Sequence, residues 1–174
     1  MSLCKETLEL KSLPTMRRLK DKEVKGLLRD FIARYPGLEE LLASVKSFDE
    51  LAVGEETVYF VDNLPLILRR TIGLLPSLKF EKCVSSLPRI VVDMGAVVHV
   101  ANGADIMRPG ISNIPSNFVK GDLLVIVDEK HGKPLALGLA EVESTEMKTM
   151  SKGKVVKNVH FVGDELWNAY NQRS

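Results

Sequence analysis

Cysteine, histidine and aromatic residues are scarce in this chain of 174 residues. The two cysteines, Cys4 and Cys83, supply neither a disulfide framework nor a metal-binding pair. His99, His131 and His160 sit at wide intervals, so no metal site is expected, and no cofactor motif is present. Aromatic residues make up 6% of the chain, too few for a single-strand reader built on base stacking. A charge excess is missing too. The formal net charge is +1, and residues 1–87 hold 14 Lys+Arg against 13 Asp+Glu. A general electrostatic grip on nucleic acid is therefore excluded, and any RNA must be held by a local patch. No stretch approaches the roughly 18 apolar residues of a membrane span, and "MSLCKETLEL" has no apolar signal region. The expectation is a cytoplasmic protein with reduced thiols and no membrane partner.

What is present is a globular composition, 45% hydrophobic and 27% charged. From Asp21 to Tyr35 the apolar residues Val24, Leu27, Leu28, Phe31 and Ile32 recur at helical spacing. Asp21 is the expected N-cap and Pro36-Gly37 the stop. A shorter helix follows, with Leu38, Leu41, Leu42 and Val45 on one face. "SFDELAV" and "ETVYFV" then read as a hairpin turning at Gly54-Glu55. "NLPLILRRTIGLLPSLKF" contains Pro65 and Pro76 and reads as short helical or turn pieces. After Leu87-Pro88 the composition turns β-branched. "RIVVDMGAVVHV" reads as a strand pair or a bent strand. "FVKGDLLVIVDEKHGKPLALGLAEV" gives two strands joined at Glu129–Lys133, "KVVKNVHFV" another, and "DELWNAY" a closing helical turn. Short strands at this spacing predict a small closed barrel. The predicted organisation is α+β, with a mixed N-terminal domain over 1–87 and a β-barrel over 88–174.

The segments "MGAVVHVANGADIMRPGI" (94–111), "FVKGDLLVIV" (118–127) and "GKPLALGLA" (132–140) resemble the PUA domain. The tail "GKVVKNVHFVGDELW" (153–167) resembles that of archaeal and eukaryotic PUA proteins. "AVGEETVYF" (52–60) and "LLPSLKF" (74–80) are similar to the pre-PUA domain of the malignant T-cell-amplified-sequence and ligatin family. Ser77 departs from that family, which more often has Thr after the proline. The resemblance implies a pre-PUA domain followed by a PUA pseudo-β-barrel. It implies binding of structured RNA, rRNA or tRNA, through the Gly-Ala-x-x-Met-x-Pro-Gly turn. It further implies action on the small ribosomal subunit in initiation, reinitiation or recycling. A SUI-type partner domain is not visible in the chain, so such a partner would be a separate polypeptide.

The residues of "NGADIMRPG" allow that chemistry. Gly103 and Gly110 lack a Cβ, so either a polynucleotide backbone or the barrel's own packing could come close to the main chain. A single turn starting at Ala104-Asp105 would leave N–H groups free for a phosphate, with Asp105 offsetting the attraction or capping the turn. Arg108, followed by Pro109, could pair with a phosphate or stack on a base. Met107 and Ile111 read as core. Lys120, Lys152, Lys154 and Lys157 could widen the patch, as could Lys148, or could be solvated surface charges. The cluster of Arg17, Arg18, Lys20, Lys22 and Lys25 reads equally as a charged helix face or a second RNA contact. Asp93, Asp105, Asp122, His99 and His160 form no nucleophile–base or paired-carboxylate arrangement, and His99 reads as a strand residue facing away from the core. The chain is therefore expected to be a non-enzymatic RNA-binding protein of translation. The alternatives are an accessory subunit of a tRNA or rRNA modification enzyme and a protein–protein adaptor.

Overall fold

The computed structural model describes residues 15–172; Cys4 and the ends of both expected domains lie outside them. The N-terminal half is a five-stranded antiparallel sheet flanked by helices. In chain order it contains β1 (Met16–Arg18), α1 (Asp21–Arg34), α2 (Glu39–Ala43), β2 (Phe48–Val53), β3 (Glu56–Val61), β4 (Leu64–Arg70), β5 (Gly73–Pro76) and α3 (Glu81–Ser86). The strands are neighbours in the order in which the chain makes them. α1 buries Leu27 and Phe31, as its apolar spacing requires. Its N-cap is Lys20 rather than Asp21: the Lys20 N–H donates to Glu23 Oε2 at 2.8 Å, so Glu23 binds the cap and Asp21 falls in the first turn.

The stretch expected to be helical or turn pieces is instead the β4–β5 hairpin. Its prolines forbid a helix but not these strand positions. Pro65 sits opposite Phe60 where the register slips, and Pro76 ends an edge strand. Ser77, completely buried, donates its hydroxyl to the Pro65 carbonyl and closes this corner.

The second half contains β6 (Arg89–Val92), α4 (Met94–Val100), β7 (Ile106–Met107), β8 (Ile111–Asn113), β9 (Leu123–Asp128), β10 (Pro134–Ala140), α5 (Ser144–Thr149), β11 (Lys154–Phe161) and α6 (Glu165–Asn171). Its six strands run in the order β7-β11-β10-β9-β6-β8. The end strands β7 and β8 are joined by one 3₁₀ turn, Arg108–Gly110, without pairing to each other, which makes a nearly closed barrel. The expected strand over 89–100 stops at Val92. Asp93 accepts the Ala96 N–H at 2.8 Å and starts α4. This cap, with packing of Val100 into the barrel, overrides the β preference of the valines.

β9 explains how the halves meet. Leu124 and Ile126 point into the barrel, whereas Leu123, Val125 and Val127 join the core under the N-terminal sheet. A strand covered on both faces reads as an unbroken apolar run, as "LLVIV" does. α6 adds Leu166 and Tyr170 to the same N-terminal core. Arg70 of β4 crosses between the halves: it donates to the Val159 carbonyl and pairs with Glu56 at 2.7 Å and Asp164 at 3.2 Å.

Candidate nucleic-acid interface

α4 lies directly against the turn after β7. A Cβ at Gly110 would come within 2.8 Å of the Ala96 Cβ, so the helix needs glycine there. Gly103 has φ +84°, and a Cβ on it would meet the Phe161 ring at 2.7 Å. The close approach at both glycines is thus internal packing. Between α4 and the turn runs a cleft of about 560 Å³, walled by Ala96, His99, Met107 and Pro109 with Asp93 and Asp105 at its edges. Its surroundings are apolar and open: Met94, Val98 and Met107 are 45%, 61% and 49% exposed. Met107 is therefore a surface residue, contrary to the core position expected from its type, while Ile111 is buried as expected. His99 sits exposed on α4 and not on a strand.

No helical turn begins at Ala104-Asp105. The Ala104 N–H donates to the His99 carbonyl at 3.0 Å, closing the end of α4. Asp105 neither caps a turn nor stands free: Oδ1 accepts the Asn158 N–H at 2.9 Å, and Oδ2 lies 3.3 Å from Lys154 Nζ. The Asn158 amide nitrogen in turn donates to the carbonyls of Val100 and Ala104. β11 thereby staples the whole 100–105 segment in place.

Arg108 is half-buried and tied down by two of its donors. Nε donates to the Met147 carbonyl at 2.7 Å and Nη1 to the Ile111 carbonyl at 3.1 Å. Its backbone N–H donates to the Gly153 carbonyl at 2.8 Å, which brings the exposed Lys152 beside the turn. Lys148 on α5 lines a depression with Arg108. Lys154 is adjacent but engaged: Glu141 at 2.9 Å, and then Asp105, hold its ammonium above the usual lysine range. Lys157 instead faces a separate depression with Glu56 and Arg70. Lys120 is exposed beside the end of β10, with β10 and β11 between it and β7. The structure thus gathers Arg108, Lys148 and Lys152 around the turn and leaves Lys120 and Lys157 apart from them. In the N-terminal cluster, Arg17 pairs with Glu23 and Glu50, both at 2.8 Å, and Arg18 with Asp49 at 2.7 Å, as on a solvated charged face.

The sequence reading missed the exposed face of α4. Asp93 three residues before Ala96 was the available signal for it, an N-cap hidden inside a β-branched run. It missed also that His160 and Asp164 pair at 2.8 Å, with the imidazole fully buried.

The PUA-domain family model matches residues 88–162. The chain is 31% identical to translation machinery-associated protein 20 of Saccharomyces cerevisiae, over 87% of this chain and 90% of that protein. It is 35% identical to an uncharacterised protein of Methanocaldococcus jannaschii, over 86% and 93% of the two chains. Among solved structures, a PUA-domain protein of Aeropyrum pernix K1 superposes with a TM-score of 0.77 at 27% identity, covering 90% of this chain and 91% of that one.

Proposed function

The chain belongs to the PUA-domain family that includes translation machinery-associated protein 20 and the malignant T-cell-amplified sequences, and from that premise we propose that it is a non-enzymatic RNA-binding factor of the translation apparatus. It docks on the small ribosomal subunit, through rRNA or bound tRNA, during initiation or recycling. It works in the cytoplasm, alongside a SUI-type protein where one takes part. Residues 88–174 form the RNA-binding domain and 1–87 the pre-PUA domain. Within the former we assign RNA contact to the turn from Gly103 to Gly110, with Lys152 beside it. Lys154 follows only where RNA displaces its carboxylates, and Lys120 and Lys157 serve an RNA long enough to leave the turn.

One observation carries this reading. The turn that bears the family motif is exposed, with an apolar cleft on one flank and cationic side chains on the other. That combination suits a polymer with flat bases and a charged backbone, recognised by shape rather than by stacking alone. The non-enzymatic assignment agrees with the causes of the shifts: burial in the core raises Cys83, Tyr35 and Tyr170, and ion pairing with Glu141 and Asp105 raises Lys154 beside the turn.

Sedimentation with purified small ribosomal subunits across a KCl series tests the proposal. Co-migration at low salt that fades as salt rises is expected. Absence from the subunit fraction at every salt concentration refutes it, and recovery with an RNA-modification enzyme in that case establishes the accessory-subunit alternative.

A further inference from the structure

The two flanks of the Met107–Gly110 turn differ in chemistry. The cleft against α4 is lined by no lysine or arginine and carries two carboxylates, Asp93 and Asp105. Asp93 caps α4 and Asp105 is paired with Lys154, so the lining offers a phosphate no cation of its own. The second flank is a depression of about 310 Å³ between β8 and α5, lined by Arg108, Ile111, Ser112, Asn113, Ile114 and Lys148. No acid is among these residues. Met107 and Pro109 face the cleft, and Arg108 between them turns to the depression.

Arg108 is already oriented for a ligand. Its bonds to the Met147 and Ile111 carbonyls fix the guanidinium plane, so the rotamer entropy of a long side chain is spent in folding. With Nε and Nη1 committed, Nη2 has no protein acceptor among the described residues. The anchor at Met147 is the residue before Lys148, so the fixed guanidinium and a flexible ammonium share one short wall. Ser112 and Asn113, both exposed, put a hydroxyl and an amide on the facing rim, the Ser112 hydroxyl donating to the Val91 carbonyl at 3.4 Å. A fixed cation, a mobile cation and two neutral hydrogen-bonding side chains suit a tetrahedral dianion or a phosphodiester.

We propose that this depression holds a backbone phosphate of the bound RNA, contacted by Arg108 Nη2 and Lys148 Nζ, while the uncharged part of the strand lies toward the α4 cleft. The inference rests on the RNA-binding reading above and adds a named phosphate seat, with Lys148 as a contact. Arg108 meets the phosphate through its Nη2 end, because its Nε edge is held by the Met147 carbonyl.

The test is RNA binding of the full chain to bulk tRNA and to small-subunit rRNA, measured at a series of KCl concentrations. Lys148→Ala removes an exposed ammonium from a surface helix, so it leaves the fold intact; Arg108 is avoided because its loss damages the barrel. Losing one phosphate contact lowers the slope of log K against log salt by about 0.7–0.9. At about 0.1 M KCl this is a roughly five- to eightfold loss of affinity, converging with wild type toward 1 M. Lys148→Arg is expected to restore the slope, and Lys82→Ala, on α3, to leave it unchanged. A wild-type slope for Lys148→Ala, with wild-type RNA affinity preserved, overturns the phosphate seat and leaves the RNA-binding reading standing. That result is also the outcome if the depression takes an acidic peptide. Failure of the wild-type chain to bind either RNA overturns both.

Discussion

Replacing Gly103 with alanine separates the two roles that its place in the family motif allows. The residue has φ +84°, where a side chain costs about 1–2 kcal/mol because Cβ crowds the following carbonyl. The new methyl would lie 2.7 and 2.8 Å from two atoms of the Phe161 ring, closer than carbon atoms pack. Phe161 is half-buried at the end of β11, and its backbone N–H is held by Asp164 at 3.3 Å, so the ring must turn while the strand stays. Overpacking of this kind costs about 1–3 kcal/mol. The sum, about 2–5 kcal/mol, is a large part of the 5–15 kcal/mol typical of a folded domain. Guanidinium unfolding followed by far-ultraviolet circular dichroism measures it. In a Phe161→Leu background the same substitution should cost only the backbone part, about 1–2 kcal/mol. If Gly103→Ala is as stable as the parent to within about 0.5 kcal/mol yet binds RNA less well, the packing argument is wrong and the glycine serves the ligand.

Other expectations follow from named contacts. Arg108→Ala strands the carbonyls of Met147 and Ile111, each bond to a charged donor being worth about 1.5–3 kcal/mol, so a loss of at least about 2 kcal/mol should lower the melting temperature by about 4–8 °C; an unchanged melting temperature contradicts the tether. Burial pushes the Asp164 carboxyl up, but the His160 imidazole, the Trp167 N–H and the Arg70 guanidinium outweigh it and hold the group below the usual range. Its stabilising contribution is therefore complete above about pH 4 and drains away as pH falls through the lower native value, and Asp164→Asn should flatten that part of an acid-unfolding curve. Equal acid dependence in the two proteins counts against it. Burial raises the Cys83 thiol to about 12, so in a Cys4→Ser background a thiol reagent at pH 8 should react only as the protein unfolds, whereas prompt labelling would place the thiol near solvent.

The sequence was most readable where one signal acted alone. The 3.6-residue spacing from Val24 to Ile32 gave α1, and alternating runs around Gly54 and Glu129–Lys133 gave two hairpins, all of which the structure contains. It misled where signals competed. The valines of 97–100 favour a strand, but the Asp93 cap and the close seat of Ala96 on Gly110 make a helix of them. The prolines at 65 and 76 excluded a helix interior and were compatible with a strand only because of a register slip and an edge, which are long-range facts. The candidate site divides in the same way. Arg108 and the glycines are visible as types, but their tasks depend on Met147, Ile111, Phe161 and Ala96, which are distant in sequence except for Ile111.

The way the halves join bears on how the barrel turn is presented. Leu123, Val125 and Val127 sit in the core beneath the N-terminal sheet, while Leu124 and Ile126 of the same strand fill the barrel. Sliding one half against the other would pull an entire face of β9 out of its apolar surroundings and break the Arg70 ties to Val159 and Asp164. A packed core of this sort is not continuously deformable. The chain therefore presents its barrel turn at a fixed orientation to whatever the N-terminal sheet touches. On the proposed reading, an RNA held at Arg108 would accordingly be positioned by the first half of the molecule as well as by the second.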